Sequence, residues 1–378
     1  MEKFSAYRDP GTGIQPFLTP VPLLGPELLA NITLPLRYLV GILRTSLILA
    51  SLAIYLLVRG LCIVFIPVPI LHHAVTHLFT YIIGHTILFL VGLFWIPVES
   101  VTRKRGRAPN TAESWNPRAG DVIVSNWVSW IEVVWLAIKF NPIFVLPVCE
   151  CLPTPPTFSR SSTPITHTPG RRTGTGSANI QSPGRSPAAR IPIIGFREVS
   201  LLSIIRSTGR TPLADSGSMQ SFEEIRKKSS RPLVVFPECT TSNGRGLLRF
   251  ADVFHQNIPV KSYQVFVMCV RYDPPTSLSP TMTHPIPSNV FNPLAQIFTL
   301  TTSLSPLTIS IRLLAPSESP GSQLFMANEV ISGSSDEDQL SESCAALIAQ
   351  IGKLKRTGMG WEEKCGFLQF YAGKKKAS

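Results

Sequence analysis

Acidic residues are scarce in this chain. Its 378 residues carry 23 aspartates and glutamates against 35 lysines and arginines, and charged residues of both signs make up only 15%. The resulting +12 suits an anionic partner such as nucleic acid, a membrane surface, or a phosphorylated or CoA-bearing substrate. No basic run is interleaved with aromatics, and no zinc-finger or RNA-recognition signature occurs, so nucleic acid is set aside and the membrane fits better. The seven cysteines are odd in number and lie mostly inside apolar runs, which reads as free thiols rather than a disulfide framework. Cys149 and Cys151 lack the second pair of a zinc site, so no metal is expected. The first 33 residues lack the basic start and cleavage site of a secretory signal; rich in proline and glycine, they read as a surface-lying arm. Beyond residue 98 no stretch offers 18 consecutive apolar positions, so integral membrane attachment must reside before it.

What the chain does have is 44% apolar content, enough for a real core, and two long apolar runs near its start. Thr45 to Leu71 contains only Arg59 as a charge, and Leu78 to Val98 contains only His85 as a titratable group. Each is long enough to cross about 30 Å of hydrocarbon. Pro67 and Pro69 interrupt the sequence between them, where His72, His73 and His77 gather. Arg37 and Arg44 precede the pair and Arg103, Lys104, Arg105 and Arg107 follow it, while the connecting turn has no lysine or arginine. The positive-inside rule then puts both ends on the cytosolic side of a helical hairpin over 34–98, one that spans twice or dips into one leaflet. Two buried helices of a soluble core are the alternative.

Beyond the hairpin, short β-like runs (Val122–Val124, Ile143–Val148, Leu233–Phe236, Val265–Val270, Leu307–Leu314) alternate with helical patterns over Val128–Lys139, Val199–Ser207, Ser221–Lys228 and Leu247–His255. Two more helices, Asp338–Lys355 and Gly360–Tyr371, close the chain. The pattern predicts an α/β domain over 99–372, a sheet flanked by helices, followed by a lysine-rich tail at 373–378. One segment stands apart: 152–190 is 39 residues long with 20 Pro, Ser or Thr, five arginines and no acid. It cannot bury enough apolar surface to offset its ordering entropy, so the composition predicts a disordered insert.

Two stretches carry candidate chemistry. In Asp121 to Phe140 an apolar strand runs into Ser125-Asn126-Trp127, then Ser129 and Glu132, the layout of a strand delivering polar groups to a cleft. In Val235 to Arg245 a strand ends at Pro237 and hands over to Glu238-Cys239-Thr240-Thr241-Ser242-Asn243-Gly244-Arg245, a turn whose amides, hydroxyls and arginine could hold an anion. Such turns are also common helix caps.

The spacing Asn126-Trp127-x-Ser129-x-x-Glu132 resembles the Asn-His-x-Ser-x-x-Asp signature of the glycerolipid acyltransferase family. Phe236-Pro237-Glu238-Cys239-Thr240 is similar to the family's Phe-Pro-Glu-Gly-Thr motif, and the Thr-x-Asn-Gly-Arg run after it looks like the lysophosphatidic acid acyltransferase branch. The resemblance extends over Glu2–Pro20, the hairpin and Trp361–Phe367, and leaves only the insert foreign. It implies an endoplasmic reticulum or lipid-droplet membrane protein that moves an acyl group from acyl-CoA, a co-substrate rather than a bound cofactor, to a lysophospholipid hydroxyl. It implies catalytic positions at Trp127 and Glu132 and substrate contacts at Asn126, Ser129, Glu238, Thr240 and Arg245. Ile191–Arg197 matches the family's second block loosely; Arg197 is its candidate phosphate contact, or an ordinary solvent-facing arginine. Val267–Tyr272 resembles the fourth block, whose role would be lining the acyl channel. Lys375-Lys376-Ala377-Ser378 matches the dilysine pattern of endoplasmic reticulum membrane proteins.

The departures from the family are as informative as the matches. Cys239 replaces a glycine, which crowds any backbone of positive φ. Trp127 replaces the histidine base, and an indole N–H has no acceptor nitrogen. No histidine anywhere in the chain has an acid five positions on. Two functions are therefore expected in competition: a lysophosphatidic acid acyltransferase of phospholipid and triacylglycerol synthesis with Glu132 as base, or a catalytically impaired lipid-binding pseudoenzyme of vacuolar sorting or lipid homeostasis.

Overall fold

The computed structural model describes residues 4–22, 31–65, 67–103, 114–153, 189–214, 219–256, 258, 260–322, 325–326, 329–330 and 338–377. Most of the Pro/Ser/Thr-rich insert and Lys104, Arg105 and Arg107 lie outside them, as do Ser378 and the side chains from Lys374 on. In chain order the regular elements are α1 (Leu34–Leu61), α2 (Pro69–Val91), β1 (Val98–Val101), β2 (Val122–Ser125), α3 (Ile131–Phe140), β3 (Ile143–Cys149), β4 (Ile193–Val199), α4 (Leu201–Ser207), β5 (Leu213–Ala214), α5 (Phe222–Lys228), β6 (Leu233–Val235), β7 (Gly246–Leu247), β8 (Val265–Tyr272), α6 (Leu294–Thr301), β9 (Ile309–Leu314), α7 (Gln339–Gly352), β10 (Lys355–Arg356) and α8 (Trp361–Ala377).

The main sheet runs β1-β9-β8-β2-β6-β3-β4, with β5 beside β3. Its centre, β8, β2, β6 and β3, is parallel; β9 and β4 run antiparallel to it. Parallel strands covered on both faces read as unbroken apolar runs, and that is why Val122–Val124 and Val265–Val270 stand out in the sequence. One face of the sheet packs Val122, Val124, Val235 and Val267 against α5 and α7 through Phe222, Ile225, Cys344 and Ile348. The other packs Ile123, Val234 and Phe236 against Trp127 and, from α3 and α4, Leu136 and Ile204.

Helix α3 is apolar all round, and the structure gives the reason: its outer side is covered too. Trp130, Ile131, Val134 and Ile138 face Ile48 of α1, Leu88 and Val91 of α2, and Leu300 of α6. The hairpin lies along α3 as a further layer. Gly84 permits close approach to α3, since a Cβ there would stand 2.8 Å from Ile138 Cγ1. Arg44, read in the sequence as a flanking charge, docks on the carbonyl end of α6, donating to Ser303 O at 2.8 Å, where a cation complements the helix dipole. Away from the domain the hairpin is bare. Leu39, Leu43, Leu57 and Leu61 of α1 and Ile70 of α2 are all more than half exposed, and both helices are long and apolar enough to cross a membrane.

Three elements differ from the sequence reading. The stretch Leu247–His255 is not helical, because its amides bond elsewhere: Leu248 to Glu238, Arg249 to Met359, Ala251 to Pro237 and Phe254 to Asp338. Ile193–Val199, not among the β-like runs read from the sequence, forms the strand β4 antiparallel to β3 and carries Arg197. The amino-terminal arm does more than lie on the surface. Tyr7 and Phe17 are buried with Leu248, Met359 and Phe367, and Asn243 donates to Gln15 O and Leu18 O at 2.7 and 3.0 Å.

Candidate functional site at the carboxyl ends of the parallel strands

Strands β2, β6 and β8 deliver their last residues to the same end of the sheet, the end where open α/β sheets hold ligands. The turn after β2 carries Asn126 to Glu132, that after β6 carries Glu238 to Arg245, and β8 ends at Tyr272. The structure thereby brings together Asn126, Trp127, Ser129, Glu132 and Glu238, all almost fully buried.

Glu132, in the first turn of α3, is held by three donors. Its Oε1 accepts from the amides of Val128 and Ser129, both at 2.6 Å, and its Oε2 accepts from the Tyr272 hydroxyl. Burial pushes its carboxyl up to about 7, against the opposing pull of these hydrogen bonds. The Tyr272 phenol is pushed well above its ordinary range by burial and by the neighbouring carboxyl, so it stays protonated and donates. Tyr272 as a residue keeps partial exposure, while its hydroxyl is buried against Glu132.

Glu238 acts differently: it ties two turns together. Its Oε2 accepts from Trp127 N at 2.6 Å and its Oε1 from Leu248 N at 2.8 Å. Burial raises it to about 8. Lys364 of α8 is equally buried, donates to Thr241 O at 2.6 Å, and is pushed well below the ordinary lysine range by burial, with Glu238 opposing the fall. Both groups are driven toward neutrality. Cys239, in the position of the motif glycine, adopts φ +57°, the left-handed conformation that costs a non-glycine residue of order 1 kcal/mol.

The remaining site residues have distinct placements. Asn126 is engaged with β8, donating to Val270 O at 3.0 Å and accepting from Val270 N at 2.8 Å. Trp127 turns inward: its ring stacks on Phe236 with centroids 5.0 Å apart, and its indole N–H donates to Ser129 O. The buried Ser129 hydroxyl has no hydrogen-bond partner of normal geometry, although Tyr272 is near enough to feel it. Thr240 donates to Arg210 O at 2.7 Å and fixes the neighbouring loop. Arg245 is exposed at the end of its turn. Arg197 is not in the cluster; in register with Leu146 on the edge strand, it lies three strands from β2, about 14 Å at ordinary strand spacing.

Sequence reasoning did not assign roles to Lys364, His284 or the pairing of Tyr272 with Glu132. Lys364 was findable, since it falls with Trp361, Cys365 and Leu368 on the apolar face of a helical pattern. His284, lowered to about 4 mainly by burial, bonds Asn292 Oδ1 at 2.7 Å, and its backbone amide donates to Val128 O. No local pattern in the sequence marks it. Among the described residues no group of three or more His, Cys, Asp or Glu could hold a metal ion. Compared with known proteins, the chain matches no family model, no curated protein and no solved structure.

Proposed function

We propose that this chain is a membrane-bound, acyl-CoA-dependent O-acyltransferase acting on a lysophospholipid of the lysophosphatidic acid class, with Glu132 working through Tyr272 in place of a histidine base. The observation that carries this reading is the near-neutral, buried Glu132 hydrogen-bonded to the Tyr272 phenol at the carboxyl end of β8. A base is most useful when its pKa lies near the working pH. In the proposed step the acceptor hydroxyl attacks the thioester carbonyl carbon as its proton passes to the Tyr272 oxygen and the phenol proton passes to Glu132. The C–S bond then breaks, the CoA thiolate leaves, and the stored proton returns through the phenol to the sulfur. Exposed Arg245 would meet the acceptor's phosphate.

The hairpin layer supports attachment to one leaflet. It lies lengthwise on the domain, and its turn region neighbours Glu198 and Arg231 of the domain, so crossing the bilayer in this arrangement would carry those charges into hydrocarbon. Its bare side fits the acyl region of an endoplasmic reticulum or lipid-droplet surface, with the domain in the cytosol.

A second reading, a lipid-binding pseudoenzyme, is favoured by Trp127: its ring is stacked in the core, and its only polar atom is spent on Ser129 O. Acyl-CoA turnover by the purified full-length protein with lysophosphatidic acid decides between them. Turnover lost in Glu132→Gln and in Tyr272→Phe, with acceptor binding retained, supports the enzyme. Saturable lysophospholipid binding without turnover above background establishes the pseudoenzyme.

A further inference from the structure

A cavity of about 330 Å³ opens at the other end of the sheet, between the turn region of the hairpin and the amino ends of the parallel strands. It is walled on the hairpin side by Tyr55, Arg59, His72, His73 and Thr76, and on the domain side by Asn141, Ile143, Glu198 and Arg231, with Ser200 at its rim. Helix α3, ten residues and about 15 Å long, separates it from Glu132. The site described above contributes nothing to its lining.

The charge in this cavity is unbalanced. Two guanidiniums face one carboxylate, Glu198, which is exposed, and two imidazoles line the same wall. Arg231 interacts electrostatically with both Arg59 and Glu198. Its Nη1 donates to the Asn141 side chain at 3.1 Å, which fixes the guanidinium, while its Nε is buried with no hydrogen-bond partner. Arg59 is braced by the Tyr55 hydroxyl at 3.1 Å. A guanidinium held in place by Asn141 in the wall of a cavity, with a second guanidinium across from it, is suited to a phosphate oxygen.

We propose that this cavity is a binding site for a phosphate group, gripped by Arg231 and Arg59 with His72 and His73 beside it. The position, where an apolar hairpin meets a charged domain edge, suits the phosphate of a lipid headgroup whose chains run along α1 and α2. A free phosphate or soluble phosphate ester would use the same donors.

The test is isothermal titration of the full-length protein in neutral detergent with inorganic phosphate and, separately, with dihexanoyl phosphatidylglycerol, which is neither acceptor nor product of the acyl transfer proposed above. Saturable binding at one site per chain is expected. Arg59→Gln and Arg231→Met should each weaken it about tenfold or more, and Glu198→Gln, which removes the competing carboxylate, should tighten it. The binding that depends on Arg59 and Arg231 should persist in Arg245→Gln, which removes the phosphate contact proposed for the acceptor, so this result stands apart from the fate of the acyltransferase reading. Binding of the lipid alone identifies a headgroup site; equal binding of inorganic phosphate identifies a free-phosphate site. Absence of saturable binding in both titrations, or affinities indifferent to Arg59→Gln and Glu198→Gln, overturns the proposal. Those two substitutions are exposed and keep the test valid even where Arg231→Met fails to fold.

Discussion

The turns after β2 and β6 each bury a glutamate at the same end of the sheet, yet the two carboxyls have different surroundings. Glu132 bonds the amino end of its own helix and the Tyr272 phenol; Glu238 bonds the backbones of two separate turns and lies within the electrostatic reach of a buried lysine. Under the proposed function the first exchanges a proton with the acceptor, whereas the second ties the turns after β2 and β6 together. Similar burial and similarly raised pKa values therefore do not imply similar roles, and the partners decide.

Removing the architectural carboxyl should give the largest effect. Glu238→Ala leaves the Trp127 and Leu248 amides buried without acceptors, each costing about 1–3 kcal/mol, so a loss of about 3–5 kcal/mol is expected in unfolding of the full-length protein in neutral detergent. A loss below about 1 kcal/mol would erase the contrast between the two glutamates. Glu132→Gln should act on rate instead. Turnover is expected to fall about 10²- to 10³-fold, the ordinary worth of a general base, and the wild-type rate should rise with pH through about 7, a limb the variant lacks. Stability should move the other way. The folded value of Glu132 lies above the ordinary glutamate value of 4.5, so the folded state holds the extra proton between them. The contribution of this group is then greatest below about 4.5 and is lost as pH rises through about 7, a decline that Glu132→Gln should flatten in pH-dependent unfolding.

Trp127→His tests whether the histidine of the acyltransferase motif that this turn resembles can act here after a single change. The indole is buried against Phe236, so the imidazole would enter the core rather than a cleft. A loss of about 2–4 kcal/mol from the vacated volume is expected, with no gain in turnover. A rise in turnover would mean that the turn after β2 opens toward the acceptor.

Much of this architecture was legible because the central strands are short, apolar and flanked by turn residues, and the observed β2, β3, β6 and β8 fall within two residues of the expected runs. The two polar stretches were legible for the same reason, as each follows directly on a buried strand. What could not be read depends on distant partners. Leu247–His255 has helical periodicity, but Glu238, Pro237, Met359 and Asp338 supply its hydrogen-bond partners from elsewhere in the chain. Trp127 was visible as a replacement, whereas the direction of its ring is set by Phe236, more than a hundred residues later. Gly84 gave no signal at all, since its role is fixed by Ile138 across the hairpin interface. Gly84→Val should crowd that contact, cost about 1–3 kcal/mol, and raise hydrogen exchange in α3 while leaving the strand amides protected. Uniform exchange across the sheet would show that the hairpin and the domain are not separable layers.

The smallest effect is expected where the chain between β3 and β4 is longest. Cys149 at the end of β3 pairs with Ile193 at the start of β4, so the two ends of the intervening segment already stand side by side in an antiparallel ladder. A connection of a few residues can join such strands, and the closure entropy saved is small: about 0.6 kcal/mol for each halving of the loop. Replacing 152–190 by a Gly/Ser bridge of about ten residues halves it twice, which should leave stability unchanged or raise it by about 1 kcal/mol. Thermal unfolding of the full-length and shortened proteins in the same detergent checks this. A loss above about 3 kcal/mol, the size associated with core damage, would mean that the segment packs on the domain and that its composition is a poor guide to its role.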